Sequence, residues 1–187
     1  SNGGEAGLFL HVNNNLDAAP NLQFTIVPIL YVDPAYAREG PGFTLSFYIT
    51  RPESRGSVSL RSSSPFDPPL IRVNYFQKES DMQLMVEGLK ILRQIVYSDA
   101  FNEFRGEEIA PGSSVHSDKA IEDYIRQTCG TAWHPVGTCK MGIDQMAVVD
   151  PQLKVRGIEG LRVVDASIMP TMITGNTNAS AIMIGEK

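Results

Sequence analysis

The chain has 187 residues, with 16 Lys+Arg against 21 Asp+Glu and a formal net charge of −5. Hydrophobic residues at 42% and charged residues at 20% exclude a disordered or fibrous chain, and the mild acidity without a basic block lacks the electrostatic footprint of a nucleic-acid binder. Two cysteines, Cys129 and Cys139, are too few for a disulfide scaffold, and a chain of this size buries roughly 70% of its unfolded surface, enough for one good core or two small ones.

The opening Ser1-Asn-Gly-Gly-Glu5 carries neither a basic leader nor an apolar signal core; the sequence leaves the compartment unknown, with a cytoplasmic location as the expectation. From 22 to 32 apolar residues dominate, with Leu22, Phe24, Ile26 and Leu30 at even spacing, which predicts a mostly buried strand. A Pro/Gly-rich loop follows over 33–42. Phe43, Leu45, Phe47 and Ile49 then alternate with Thr44, Ser46, Tyr48 and Thr50 in a cleaner period of two. Val58 and Leu60 after Arg55-Gly56 predict a further strand, and 70–75 a fourth. Strands joined by non-helical loops point to an antiparallel sheet.

Ser80 and Gln83 have the spacing of a capping box, so a helix is expected to begin there. Met82, Met85, Leu89, Leu92 and Val96 follow as one apolar stripe, the face expected to pack on the sheet. A short helix is expected over 99–104. Ser117 caps another, with Ile121, Tyr124 and Ile125 on its buried side. After Cys129 the texture becomes Gly-, Pro-, Thr- and Met-rich. Leu161-Arg-Val-Val164 is the one later strand expected, and 179–187 reads as a helix that the chain stops inside, which predicts a piece of something longer.

Residues 166–185 contain no charge, yet Pro170, Gly175, Asn176 and Asn178 make the run too polar and broken for a membrane-spanning helix. Burial within protein, beside a ligand, explains it better. Of the three histidines, His11 and His116 lie among Asn and Ser and read as solvated loop residues. His134 precedes Pro135, which keeps it out of helical geometry, and stands near Gly137 and Gly142, where backbone can approach a neighbour closely. By residue type alone a packed histidine and a working one are both open there.

Cys129, His134 and Cys139 form a Cys-x4-His-x4-Cys array, but zinc sites use four ligands and the short Cys-x2-Cys knuckle is missing, so no metal is expected. Nothing marks Cys139 as a low-pKa nucleophile paired with His134. Gly175-Asn176-Thr177-Asn178-Ala179 stands before the last helix, whose free N–H groups and partial positive charge favour anionic atoms. One asparagine suffices for a cap; two in a charge-free setting also suit a ligand that develops negative charge.

Five blocks recur here in one order: His134-Pro-Val-Gly-Thr-Cys-Lys-Met-Gly142, Val148-Val-Asp-Pro151, Gly160-Leu-Arg-Val-Val-Asp-Ala-Ser167, Met169-Pro-Thr171 and Gly175-Asn-Thr-Asn-Ala179. With Ser54-Arg-Gly56, Asn74-Tyr75 and Asp81 upstream, the chain resembles the C-terminal part of the glucose–methanol–choline oxidoreductases, nearest the choline-dehydrogenase-like branch. The resemblance implies an α+β fold, an antiparallel sheet covered by helices. Residues 1–130 would form a substrate-binding domain, and 131–187 the active-site segment that returns to a Rossmann-like FAD domain. The Gly-x-Gly-x-x-Gly fingerprint of that domain is nowhere in the chain, so the domain is expected to be absent and the segment alone inactive, binding FAD weakly or not at all.

The activity implied for the parent is FAD-dependent oxidation of an alcohol to an aldehyde or ketone. By that resemblance His134 is the active-site base or the hydrogen-bond partner of the alkoxide, and Asn176 the carboxamide that orients the substrate oxygen. Trp133, Asp165, Ala166, Thr177 and Asn178 fall at cofactor-contacting positions, Thr177 and Asn178 beside the pyrimidine end of the flavin. Some groups that surround a trimethylammonium in choline users fall outside this chain, so a primary or aliphatic alcohol is the substrate class implied, with the electron acceptor left unidentified. Alternatives are the same fold with a changed reaction, a hydroxynitrile lyase or a flavin photodecarboxylase, and a binding module that never holds FAD.

Overall fold

A computed structural model describes residues 4–13 and 15–186, so Asn14 beside His11 and the final Lys187 of the expected last helix lie outside the described residues. The protein is α+β, with antiparallel sheets and helices. Its chain forms two compact units, Ser1–Thr50 with Glu79–Gly130, and Arg51–Lys78 with Thr131–Lys187. The contact boundary after Gly130 falls where the texture changes, while residues 51–78 group with the later segment rather than with 1–130.

In the first unit β1 (Ala6–Leu10), β2 (Leu22–Val27) and β3 (Thr44–Ile49) form an antiparallel sheet in that order, with Phe24 opposite Leu8 on one side and Phe47 on the other. The expected strand over 22–32 ends at Val27 because Pro28 has no N–H to continue the ladder. Beyond it the Thr44 hydroxyl ties the loop down, donating to the Ile29 carbonyl at 2.9 Å and accepting from the Tyr31 N–H at 2.8 Å. Strand β1 was not expected from the sequence. Its five residues carry no alternation and gain order only by pairing with β2.

Helix α1 (Glu79–Val96) packs on β3 and β2 through Met82, Val86 and Leu89, all buried. The helix starts at Glu79, one residue before the expected cap, which puts Ser80 inside the first turn. Glu79 and Asp81 fill that turn instead, the placement the helix dipole favours. The stripe is also re-centred. Met85, Leu92 and Val96 are half-buried, whereas Gly88 lies against the sheet, and a Cβ there would stand 2.4 Å from Phe47 Cε2. The Phe47 ring in turn stacks on Phe24, centroids 5.8 Å apart.

Helix α2 (Asp118–Thr128) packs on α1 as expected, with Ser117 Oγ accepting from the Ala120 N–H and Ile121 and Ile125 buried. The expected helix over 99–104 is a single 3-10 turn, Asp99–Phe101. Arg93 and Glu108 pair at 2.7 Å, and the same guanidinium reaches the Gly112 carbonyl, fixing the loop between the helices.

In the second unit β4 (Ser57–Ser59) and β5 (Leu70–Arg72) form a separate two-stranded sheet, not extra strands of a single one. Strand β5 stops short of the expected 75 because Asn74 and Phe76 adopt left-handed φ of 51° and 57°. Gly56 is required by close approach: a Cβ would lie 2.3 Å from the Arg72 carbonyl oxygen.

The expected strand at Leu161-Arg-Val-Val164 is a correction as well. Only an isolated bridge, Lys154 to Arg162, and single hydrogen bonds such as Val155 N–H to Leu161 oxygen are formed. The facing segment curls through left-handed Leu153, Gly157 and Gly160, so no continuous ladder can run beside it. The chain ends in α3 (Asn178–Glu186), apolar around its circumference yet without a buried residue. Among the described residues no helix is long and apolar enough to cross a membrane.

Candidate active site

His134 sits on an extended segment whose position is set one turn of chain later. Gly137 takes φ 85°, a left-handed conformation natural to glycine, and lies so near the Met169 carbonyl oxygen that a Cβ would stand 3.3 Å from it. Past this bend, Cys139 N–H donates to the Ser167 oxygen at 3.0 Å and Met141 N–H to the Ile168 oxygen at 2.7 Å. Ile168, Met169, Ala147 and Val149 are buried and make a small apolar core under these strands of loop.

The turn that receives those bonds is itself capped. Asp165 Oδ1 accepts from the Ser167 N–H at 2.8 Å at the head of the 3-10 turn Ala166–Ile168. The Ser167 hydroxyl and N–H together hold the Asp165 carboxyl below the ordinary carboxylate range. Helix α3 packs on this turn. One short segment thus locates both the histidine loop and the helix that carries the asparagines.

The result is a convergence of residues 42 and 43 positions apart. Asn176 Nδ2 lies 3.0 Å from His134 Nε2, Thr177 Oγ1 lies 3.0 Å from His134 Nδ1, and the Thr177 N–H points to the same Nδ1 at 3.5 Å. Both ring nitrogens of His134 are therefore engaged. Thr177 is buried, at 7% exposure, while Asn176 faces solvent and His134 is half-buried. The Thr177 carbonyl accepts from Ala181 N–H, so these contacts sit at the first turn of α3, whose leading N–H groups have no intrahelical acceptor.

The structure thus joins His134, Asn176 and Thr177. It places Asn178 exposed as the first residue of α3, and Asp165 and Ala166 in the capped turn beneath that helix. Trp133 holds a left-handed φ of 63°, its N–H donating to Thr131 Oγ1, and its ring is 80% exposed with no stacking partner among the described residues. His11 and His116 stay in loops, each bonding locally, His11 Nδ1 to Asn13 N–H and His116 Nδ1 to the Ser114 oxygen. An open hollow between Arg51, Arg55 and Met172 holds none of these site residues. The Thr177 hydroxyl on the histidine is the contact sequence reasoning missed. Its signal was only that the residue follows Asn176 directly, so both can face one ring from a helix mouth.

A stationary imidazole with a carboxamide at Nε2, beside free helix N–H groups and no carboxylate between 166 and 185, can grip an oxygen that is losing a proton and stabilise negative charge next to it. The GMC oxidoreductase family model matches residues 52–185. An oxygen-dependent choline dehydrogenase of Cronobacter sakazakii is 45% identical over 100% of this chain and 34% of its own length, and one of Escherichia coli O45:K1 is 44% identical over 100% and 33%. Among solved structures, pyridoxine 4-oxidase from Mesorbium loti matches with a TM-score of 0.89 and 32% identity over 98% of this chain and 36% of that one. A fungal aryl-alcohol oxidase matches at 0.74 and 31%, over 94% and 28%. The chain spans about a third of the length of the curated relatives it matches. With most of its residues under one family model and its site residues in the matched region, the chain belongs to the GMC oxidoreductase family.

Proposed function

We propose that this chain is the substrate-facing and active-site part of an FAD-dependent enzyme that oxidises a primary or aliphatic alcohol to a carbonyl compound. The observation that carries this reading is the 3.0 Å approach of Asn176 Nδ2 to His134 Nε2. Oxidation removes a hydroxyl proton and a hydride from the carbinol carbon. His134 meets the substrate oxygen through Nε2, accepting its proton or hydrogen-bonding the alkoxide, a role worth roughly a hundred- to ten-thousand-fold. Asn176 orients the same oxygen without competing for its proton. No side chain accepts a hydride; bound FAD supplies that acceptor.

The residues present fit such a group. The leading N–H groups of α3 and the charge-free run 166–185 favour a ring that gains negative charge. Asn178, the backbone of Thr177, Asp165, Ala166 and the exposed Trp133 ring would hold it. In this reading residues 1–130 contribute the substrate-binding part and 131–187 the return segment of an FAD domain carried outside this chain. Residues 51–78 join the return segment through their contacts. An apolar α3 with Ile182 at 61% and Met183 at 55% exposure, and an unladdered 161–164, are what such a missing partner would leave uncovered.

The test is anaerobic mixing of the full-length protein with small alcohols, choline among them. Bleaching of the flavin absorbance is the expected result. A flavin that stays oxidised with every alcohol, while the protein acts on a cyanohydrin or a fatty acid under light, contradicts it in favour of a changed reaction on the same fold.

A further inference from the structure

The second nitrogen of the His134 ring has a partner of its own, whose catalytic meaning rests on the proposed function. Asn176 Nδ2 lies 3.0 Å from His134 Nε2, and an amide nitrogen only donates. Nε2 is therefore the accepting nitrogen of the ring, the one with the free lone pair. A neutral imidazole carries its single proton on the other nitrogen, so the proton lies on Nδ1. The Thr177 hydroxyl stands 3.0 Å from Nδ1, and its oxygen can accept that proton. The Thr177 N–H reaches the same nitrogen only at 3.5 Å, longer than the about 2.7–3.2 Å usual for an N–H donor. That N–H is a leading amide at the mouth of α3, where the functional reading places the cofactor.

We infer that Thr177 is a positioning residue whose hydroxyl oxygen accepts the Nδ1 proton of His134 and so keeps the Nε2 lone pair available as the base. Which nitrogen of a histidine is free is set by the bond that the other makes. Two adjacent residues supply both halves here, a donor for Nε2 and an acceptor for Nδ1. Thr177 is buried, which keeps water from competing for that acceptor, and its carbonyl accepts the Ala181 N–H, which mounts it on the first turn of α3. Asn176 is exposed and has no other hydrogen-bond partner among the described residues, so it is free to swing aside and turn its N–H to an entering substrate oxygen. The alcohol O–H bond then breaks, its electron pair stays on the oxygen, and the proton bonds to Nε2. The ring becomes an imidazolium with two N–H donors. Its Nδ1–H stays on Thr177 Oγ1, a bond that strengthens as the ring gains charge. Thr177 thus fills with a neutral oxygen the place that a carboxylate takes in a Ser-His-Asp triad.

Labelling the full-length protein with ring-15N histidine, and identifying His134 by the signal lost in His134→Ala, reads the tautomer directly. With the ring neutral, the unmodified protein is expected to show a protonated Nδ1 and a bare Nε2. Thr177→Val keeps the shape and the backbone N–H but removes the acceptor. It is expected to spread the proton over both nitrogens and to lower kcat roughly tenfold or more, with KM and bound FAD unchanged. Thr177→Ser restores the hydroxyl and is expected to recover both the tautomer and kcat. A bare Nδ1 in the unmodified protein overturns the inference, as does a Thr177→Val protein with unaltered tautomer and kcat, or a folded Thr177→Ser that fails to rescue. Failure of the functional reading would look different: the tautomer follows Thr177 as stated, yet His134→Ala reduces flavin as fast as the unmodified protein.

Discussion

Within Ser1–Thr50 and Glu79–Gly130, shape is held by regular elements packed face to face: Phe24 stacks on Phe47, Gly88 brings α1 down onto that ring, and Met82, Val86, Leu89, Ile121 and Ile125 fill the space between. Within Arg51–Lys78 and Thr131–Lys187 there is little such packing. Ala147, Val149, Ile168 and Met169 are its buried apolar side chains, and position is set instead by bends and single hydrogen bonds: the left-handed Gly137, the Asp165 cap, Cys139 and Met141 tied to the Ser167 and Ile168 carbonyls. The difference teaches where chemistry can be afforded. A loop-built unit can leave Asn176 and Trp133 facing outward and hold a histidine by both nitrogens, which a close-packed face would bury.

Truncating the packed unit should give the largest effect. Met82→Ala removes a fully buried side chain at the centre of the α1–sheet contact and should cost about 2–5 kcal/mol, measured by denaturant titration followed through α1 amide exchange. A loss under about 1 kcal/mol would mean that this helix face is not the core. Ser117→Ala should cost about 1 kcal/mol by freeing the Ala120 N–H at the start of α2, a smaller break in the same unit. An unchanged midpoint would show that another group takes over the cap.

In the loop-built unit the effect to look for is smaller and depends on pH. The Ser167 hydroxyl and N–H depress the folded-state pKa of Asp165. A depressed carboxyl stabilises the folded form above its unfolded pKa of about 3.9, and that contribution disappears as pH falls through the lower folded value. Carboxyl NMR should therefore show Asp165 titrating below its unfolded value, with the Ser167 amide resonance moving in step. A midpoint at or above about 3.9 would remove the cap from the account.

The same contrast explains what was legible in the sequence. Periodicity reported β2, β3, the apolar face of α1 and α2 with its Ser117 cap, because packing on a sheet or helix repeats at fixed spacing. It misplaced the start of α1, since Ser80 and Gln83 have capping-box spacing but the first turn is set by Glu79 and Asp81. It overran β2 at Pro28 and missed β1, whose order comes from its neighbour alone. Loop geometry has no period. That His134 and Asn176 would meet could be anticipated from ordered motifs but not from spacing, and the Thr177 hydroxyl at Nδ1 depends on a helix mouth whose angle no local pattern encodes.

The most direct measurement is the rate of anaerobic flavin reduction by saturating alcohol in full-length His134→Ala, with bound FAD quantified in the same sample. The account predicts a fall of roughly a hundred-fold or more in that rate with FAD content retained. A rate within about twofold of the unmodified protein, or a loss of FAD that matches the loss of rate, would make His134 a packing residue and contradict it.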